Sequence, residues 1–119
     1  MEHAKLRSLA VTAARGRLLA MDMVYSAASG HIGGSLSAMD ILTTLYFDVM
    51  RVDPARPRDP ERDRFVLSKG HCTPALYPML ALKGFFPVER LREFRRIDGT
   101  LSGHAEMNLV AGVDMSTGS

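Results

Sequence analysis

Apolar and small residues recur three and four positions apart along the N-terminal segment of the chain. This spacing places them on one face of an α-helix, so it predicts a helix with one buried stripe. Several members of the stripe are small, which favours close packing against another helix. The pattern stops at Ser29-Gly30, where we expect the helix to end. The stripe consists of Leu6, Leu9, Ala13, Gly16, Ala20, Met23 and Ala27.

A glycine- and serine-rich segment follows, in which residues 29–37 hold three glycines and three serines around one histidine. Ordering glycine carries a large entropy cost, so this composition predicts a loop whose backbone must approach something closely. Ser37 and Asp40 have the spacing of a capping box, which predicts that a second helix begins there. Its N-terminus would favour an anionic ligand. The face that we expect to be buried consists of Ala38, Ile41, Leu42, Leu45 and Val49.

A polar connection over residues 51–64 leads to a short β-branched and aromatic run, Arg64–Leu67. We interpret the charges of the connection as solvated. The run is too brief for a helix and predicts a buried strand. His71 then lies just past the carboxyl end of that strand, where open α/β sheets bind their ligands.

The residues after His71 predict a third helix. Thr73-Pro74 is typical of a helix start, and the apolar residues that follow lie nearly all round the helix, so we expect it to be buried and closed by Gly84. Pro78 inside it should produce a kink. A short surface helix is expected beyond it, with Leu91 and Phe94 turned inward. The order of strand and helices predicts an α/β fold that is mostly helical in this segment.

Composition narrows the possible classes of protein. The chain has 119 residues, 46% hydrophobic and 24% charged, which suits one globular domain over residues 1–119. The net charge is +2, with basic and acidic residues interleaved, so a nucleic-acid partner is not expected. No apolar run is long enough to span a membrane. A single cysteine excludes a disulfide framework and fits the cytoplasm. Residues 5–17 could imitate a transit peptide, but their pattern continues unbroken into the first helix.

The pattern Gly-His occurs three times, at His31, His71 and His104. Glycine admits close approach of a ligand, and imidazole can donate, accept or transfer a proton near neutral pH. Each histidine alone is more often structural, but three such sites in a short chain favour convergence on one pocket. A zinc site is the alternative, although no metal-binding spacing connects them. Cys72 could form a dyad with its histidine neighbour, but a packing role fits it better. Glu106 could orient His104 or simply be exposed.

Four ordered motifs resemble those of the transketolase family, most closely the N-terminal subunit of a split transketolase. The resemblance covers the chain from about residue 13 to residue 119, and its strength comes from the order and spacing of the motifs together. The motifs are Ser-Gly-His-Ile-Gly-Gly-Ser-Leu-Ser from residue 29, Asp-Arg-Phe-Val-Leu-Ser-Lys-Gly-His from residue 63, Ser-Gly-His-Ala-Glu from residue 102 and Met-Ser-Thr-Gly-Ser from residue 115.

The resemblance implies a thiamine-diphosphate enzyme that transfers a two-carbon ketol unit from a ketose phosphate to an aldose phosphate. At matching positions, His71 would hydrogen-bond the diphosphate. His31 and His104 would contact sugar hydroxyls and assist proton transfer, so both are candidate catalytic residues. The cofactor would also lie against Gly34, Gly118 and Ser119. The thiazolium ring supplies the carbanion chemistry.

The chain departs from the family pattern in two ways. Many members have proline after the first and third histidines, where this chain has Ile32 and Ala105. The family also binds Mg²⁺ through Gly-Asp-Gly and a later Asn, and Asp98-Gly99 is only a partial match, so no metal ligands are assigned within residues 1–119. We therefore expect a truncated N-terminal part of a thiamine-diphosphate-binding parallel-sheet domain, inactive alone.

The resemblance also implies partners and alternatives. The expected partners are the C-terminal transketolase subunit, which would supply the glutamate that activates the cofactor, and sugar phosphates. A partial domain leaves sheet edges and apolar helix faces uncovered, so we expect oligomers, self-association or instability. The alternatives are a non-catalytic half-domain that binds a partner chain, or another thiamine-diphosphate enzyme of the deoxyxylulose-phosphate synthase or pyruvate dehydrogenase E1 type.

Overall fold

Three α-helices pack on one another to form most of the core. The computed structural model describes residues 2–28, 30, 32–96 and 99–117. Segments 50–69 and 99–117 lie between or after the helices and contribute buried side chains such as Leu67, Leu101 and Val110. The helices are α1 (His3–Ala27), α2 (Ile32–Thr44) and α3 (Thr73–Lys83); a π-helical turn, Leu45–Val49, extends α2, and short 3₁₀ helices are formed by Gly70–Cys72 and Val88–Glu93.

The predicted stripe of α1 is confirmed except at Leu6, which is 55% exposed, and it explains how the helices meet. A Cβ atom on Gly16 would lie 2.5 Å from the Met79 Cε atom and 2.7 Å from the Met39 Sδ atom. A larger residue would therefore require the ends of these two methionine side chains to move, so α1 lies close to both α2 and α3 here. The helix ends at Ala28, which has left-handed backbone geometry and donates its N–H to Tyr25 O. The buried positions of α1 are Leu9, Ala13, Gly16, Ala20 and Met23.

The prediction for α2 was wrong in its start and partly wrong in its buried face, of which Leu42 is buried as expected. The helix begins at Ile32, and the Ser37 hydroxyl donates to Gly34 O at 2.9 Å within the helix instead of capping its N-terminus. The predicted glycine loop therefore lies partly inside the first helical turn. Ile41 and Val49 are exposed, because the buried face is rotated from the expected one. The residues of α2 that are buried are Ser35, Met39, Leu42 and Thr43.

The prediction for α3 is confirmed in its start, its burial and its end, whereas the kink at Pro78 stays a prediction. Residues 73–81 are all buried, Pro78 lies inside the helix, and Gly84 ends it with a φ of +110°. The short helix beyond it is a 3₁₀ helix, and Leu91 and Phe94 are buried as predicted.

The strand predicted at Arg64–Leu67 is not assigned: these residues have no regular secondary structure, and the described part of the chain contains no β-strand. A strand is defined by hydrogen bonds to a neighbouring strand, and no such neighbour is present there. The helical part of the predicted fold is thus observed, whereas the α/β class is not confirmed. The interpretation of the charges in residues 51–64 as solvated was also partly wrong, because Arg62 forms a nearly buried ion pair with Asp114.

Several large apolar side chains remain on the surface. Leu18 and Tyr25 on α1 are 67% and 87% exposed, and Ile41 on α2 is 65% exposed. Self-association through such surfaces stays a prediction. Within the described ranges, no helix combines the length and apolarity needed to cross a bilayer.

Candidate functional site

His71 lies at the start of α3. It is the middle residue of the 3₁₀ turn Gly70–Cys72, which runs directly into the helix, and it is half-buried. Cys72 is fully buried in the core, in keeping with the predicted packing role. The partial positive charge at the N-terminus of α3 therefore develops beside an imidazole, which is a suitable environment for an anion.

Gly34 brings the first turn of α2 against this same turn. The Lys69 ammonium donates to Gly34 O at 3.1 Å, and a Cβ atom on Gly34 would lie 2.9 Å from Cys72 Sγ. Any side chain at this position would force the two segments apart. The backbone of Gly34 thus closely approaches the segment that carries His71, and its predicted contact with the cofactor stays a prediction.

His104 is exposed on a loop that is held from two sides. On one side, α3 contributes two hydroxyls: Thr73 Oγ1 donates to Gly103 O at 2.9 Å, and Tyr77 Oη donates to Ser102 O at 2.7 Å. On the other side, the backbone N–H of Thr117 donates to Ala105 O at 3.1 Å. The loop that carries His104 is therefore tied to the helix that begins two residues after His71.

Three of the predicted site residues, His31, Gly118 and Ser119, lie outside the described residues. Two described residues next to them, Gly30 and Thr117, contact the part of the molecule formed by α3 and the His104 loop. A Cβ atom on Gly30 would lie 3.2 Å from Phe94 Cε2, and Phe94 packs edge-on against Tyr77 with ring centroids 6.2 Å apart. Thr117 precedes Gly118 directly, and its hydroxyl is buried without a hydrogen-bond partner among the described residues.

An open cleft of about 460 Å³ runs alongside His104, and arginines line it. Arg95 and Arg96 are both on its wall, together with Glu106. The Arg95 guanidinium lies where a side chain on Gly103 would have to go, and the Arg95 N–H donates to Leu101 O at 2.7 Å. Two guanidinium groups against one carboxylate make the cleft attractive to anions.

Sequence reasoning missed three cationic side chains at this site: Arg95, Arg96 and Lys69. They were not selected as candidates, because basic and acidic residues alternate along the chain and no cluster of positive charge marks them. The available signal was local: Lys69 directly precedes one Gly-His pair, and the two arginines follow the buried Phe94. Only the packing shows that they lie beside Gly34 and His104.

The zinc alternative finds no support within the described ranges. No three histidine, cysteine, aspartate or glutamate residues come together there in an arrangement that could hold a metal ion. His31 lies outside those ranges, so the three-histidine arrangement itself is not tested. Glu106 shares the cleft with His104, and its predicted orienting role stays a prediction.

Comparison with protein families identifies the chain. Residues 8–119 match the family described as "Transketolase, thiamine diphosphate binding domain". The chain belongs to the transketolase family. Its resemblance to this family, inferred from the four motifs, is thereby confirmed.

Relatives within the family include proteins that are named as transketolase subunits. The chain is 50% identical over 103 residues to the 6-deoxy-6-sulfo-D-fructose transketolase subunit SqwG of Clostridium sp. (strain MSTE9), covering 87% of this chain and 38% of that protein. It is 43% identical over 114 residues to one subunit of the apulose-4-phosphate transketolase of Phocaeicola vulgatus, covering 96% of this chain and 40% of that protein. The chain thus spans about two fifths of the length of these transketolase subunits.

Solved transketolases have the same local architecture. The transketolase of Leishmania mexicana superposes with a TM-score of 0.88 at 32% identity, over 92% of this chain and 17% of that one. The transketolase of Pichia stipitis in complex with sedoheptulose-7-phosphate superposes with a TM-score of 0.86 at 40% identity, over 90% of this chain and 16% of that one. The arrangement of helices described above is therefore a property of the family.

Proposed function

We propose that this chain supplies the thiamine-diphosphate-binding part of a two-subunit transketolase. The assembled enzyme transfers a two-carbon ketol unit from a ketose phosphate to an aldose phosphate. The observation that carries the proposal is the convergence at the start of α3, where the His71 turn, Gly34 and the loop of His104 are joined by direct contacts.

The residues present fit a diphosphate. His71 and the Lys69 ammonium lie near the N-terminus of α3, so an imidazole, a cation and a helix dipole lie at one place. Gly34 contributes backbone but no side chain of its own to this corner, and the buried Thr117 hydroxyl has no hydrogen-bond partner among the described residues. In the proposal, His71 and the backbone of Gly34 hold the cofactor together with Gly118 and Ser119.

The histidines beyond the diphosphate act on the sugar. Bound thiamine diphosphate supplies the carbanion chemistry, and the protein positions the substrate and moves protons. In the proposal, His104 and His31 hydrogen-bond the hydroxyls of the donor ketose and transfer protons at its carbonyl oxygen. The exposed position of His104 on the wall of an open cleft suits contact with a substrate.

The substrate class follows from charge. Arg95 and Arg96 make the cleft beside His104 attractive to a ketose that carries a terminal anion. By their names, the two subunit relatives act on a sulfonated fructose and on a phosphorylated sugar. The partner in the proposal is a C-terminal transketolase subunit, and Mg²⁺ binds through ligands outside residues 1–119.

A ligand titration monitored by NMR tests the cofactor part of the proposal. Thiamine diphosphate with Mg²⁺ is added to the ¹⁵N-labelled chain. We expect shift changes at the amides of Gly34, residues 70–72 and residues 103–105, with weak affinity because the metal ligands of the family are not assigned in this chain. His71→Ala should abolish them, whereas the control His3→Ala on the exposed N-terminus of α1 should not.

Two results would contradict this proposal. One is a set of shift changes centred away from the start of α3, and the other is an equal response from the His71→Ala chain. In the assembled enzyme, turnover of a ketose phosphate with an aldose phosphate separates transketolase from the alternative reactions. Pyruvate consumption would instead indicate the synthase or dehydrogenase type.

A further inference from the structure

Two buried hydroxyls on α3 bind consecutive carbonyl groups of the loop that carries His104. Thr73 and Tyr77 are both 0% exposed, and they lie four residues apart, so they share one face of the helix. Their partners, Gly103 O and Ser102 O, are the two carbonyls immediately before His104. The pair of hydrogen bonds therefore fixes both the position and the register of the loop relative to α3.

The same helix carries His71 at its start. His71 precedes Thr73 by two residues, and the turn Gly70–Cys72 continues into α3 without an intervening loop. A rigid helix thus connects the imidazole assigned to the cofactor with the loop of the imidazole assigned to the sugar. The two hydrogen bonds thus tie the backbone of the His104 loop to the segment that carries His71.

The Tyr77 ring is also held by the core, and its hydroxyl interacts with the Thr73 side chain as well as with Ser102. Its ring lies edge-on to Phe94 at an interplanar angle of 71°. Phe94 in turn precedes Arg95, whose backbone N–H donates to Leu101 O. The start of the loop is therefore held by the backbone of Arg95, and its centre by the hydroxyls of Thr73 and Tyr77.

We propose that Thr73 and Tyr77 are positioning residues for His104, which set the distance between the cofactor-binding and substrate-binding histidines through Gly103 O and Ser102 O. This assignment rests on the proposed function, because the roles of His71 and His104 in catalysis come from it. The physical coupling between α3 and the loop can be measured without any ligand.

Matched variants are available within the chain. Tyr77→Phe and Thr73→Val remove the two hydroxyls with little change in shape. The control for the first is Tyr46→Phe, because the Tyr46 hydroxyl is buried without a hydrogen-bond partner in the described structure. The control for the second is Thr43→Val, because Thr43 is about as buried, and its hydroxyl bonds Met39 O in its own helix and Met79 Sδ on α3 but no atom of the His104 loop.

The first measurement is amide hydrogen exchange of residues 101–105 in the ligand-free chain. Tyr77→Phe and Thr73→Val should each accelerate exchange in this loop about fivefold relative to the rest of the chain, since each removes one hydrogen bond. Tyr46→Phe and Thr43→Val should leave the loop unchanged relative to the rest. Equal exchange in all four variants, or acceleration spread evenly over the chain, would overturn the assignment.

The second measurement reports on His104 itself. The imidazole Cε1–H signal of His104 should shift and broaden in Thr73→Val and Tyr77→Phe, and Thr73→Ser should restore it because serine keeps the hydroxyl. Failure of the serine variant to restore the signal would contradict the assignment. These readouts need no cofactor, so a negative thiamine diphosphate titration would remove the proposed function and leave the coupling intact.

Discussion

Gly34 shows how a single residue can decide whether two segments meet. It lies in the first turn of α2, where helix propensity disfavours glycine, and the reason for its presence is found in another segment of the chain. Its missing side chain leaves room for Cys72 Sγ and for the Lys69 ammonium, which binds its carbonyl oxygen. At the neighbouring Gly33, no described atom from another segment lies within 4 Å of the position that a Cβ would take.

This difference gives a paired prediction. Gly34→Ala should lower the free energy of unfolding by about 1 to 3 kcal/mol, because the added methyl group forces α2 away from the His71 turn. Gly33→Ala should instead raise it by up to about 1 kcal/mol through better helix propensity. Urea unfolding monitored by circular dichroism measures both. Equal effects of the two substitutions would show that the contact with Cys72 is not formed.

At the scale of elements, Asp114 connects segments that have no regular structure of their own. One of its carboxylate oxygens accepts from Arg62 Nε at 2.9 Å, and the other accepts from the Phe65 N–H at 2.8 Å. The side chains of Asp114 and Arg62 are only 6% and 9% exposed. A second arginine, Arg58, donates to Met107 O nearby. The proline-rich connection is therefore fastened to the segment that precedes Thr117.

Removing this carboxylate should be strongly destabilising. Asp114→Ala leaves the Arg62 guanidinium buried without its partner, so the free energy of unfolding should fall by about 3 to 5 kcal/mol. The control is Asp40→Ala, because the Asp40 side chain is 74% exposed and pairs with Arg17 at 3.0 Å. Its effect should stay below about 1 kcal/mol. Thermal unfolding of the two variants compares them, and a difference smaller than about 1 kcal/mol would contradict a buried role for the pair.

At the scale of the whole molecule, the described residues form one core, and two phenol groups are part of it. Tyr46 and Tyr77 both belong to the cluster formed by the helices and the later loops. Burial raises the pKa of each hydroxyl well above its usual value. The nearby Asp114 carboxylate raises the pKa of Tyr46 further, and the hydrogen bond to Ser102 opposes part of the pKa shift at Tyr77.

This predicts an alkaline loss of stability. A folded-state pKa above the unfolded value of about 10 means that the stability is fully present below about pH 10 and declines as the pH rises further. The midpoint of alkaline unfolding should therefore move to higher pH in Tyr46→Phe, which removes one of these groups. The exposed Tyr25→Phe is the control and should leave the midpoint unchanged. Identical midpoints for the two variants, followed by circular dichroism, would refute the role of the buried phenol.

Periodic patterns in the sequence determined the helices well. The stripe of α1 and the all-round apolar character of α3 were predicted correctly, because burial of a helix face repeats every three to four residues. The start of α2 was predicted incorrectly. Gly34 lies inside the helix because it contacts Cys72, and helix propensity takes no account of contacts between distant segments. The strand at residues 64–67 stays a prediction, because pairing depends on a neighbour elsewhere in the chain.

For the candidate site, too, the sequence determined some features and the tertiary structure determined the others. The sequence by itself marked the three Gly-His pairs and, through the order of its motifs, the family. Only the tertiary structure decided that His71 and the loop of His104 are joined through Thr73 and Tyr77, and that arginines line the adjacent cleft. The physical reason is that residue type and spacing report on local geometry, whereas contacts between residues thirty positions apart depend on how the helices pack.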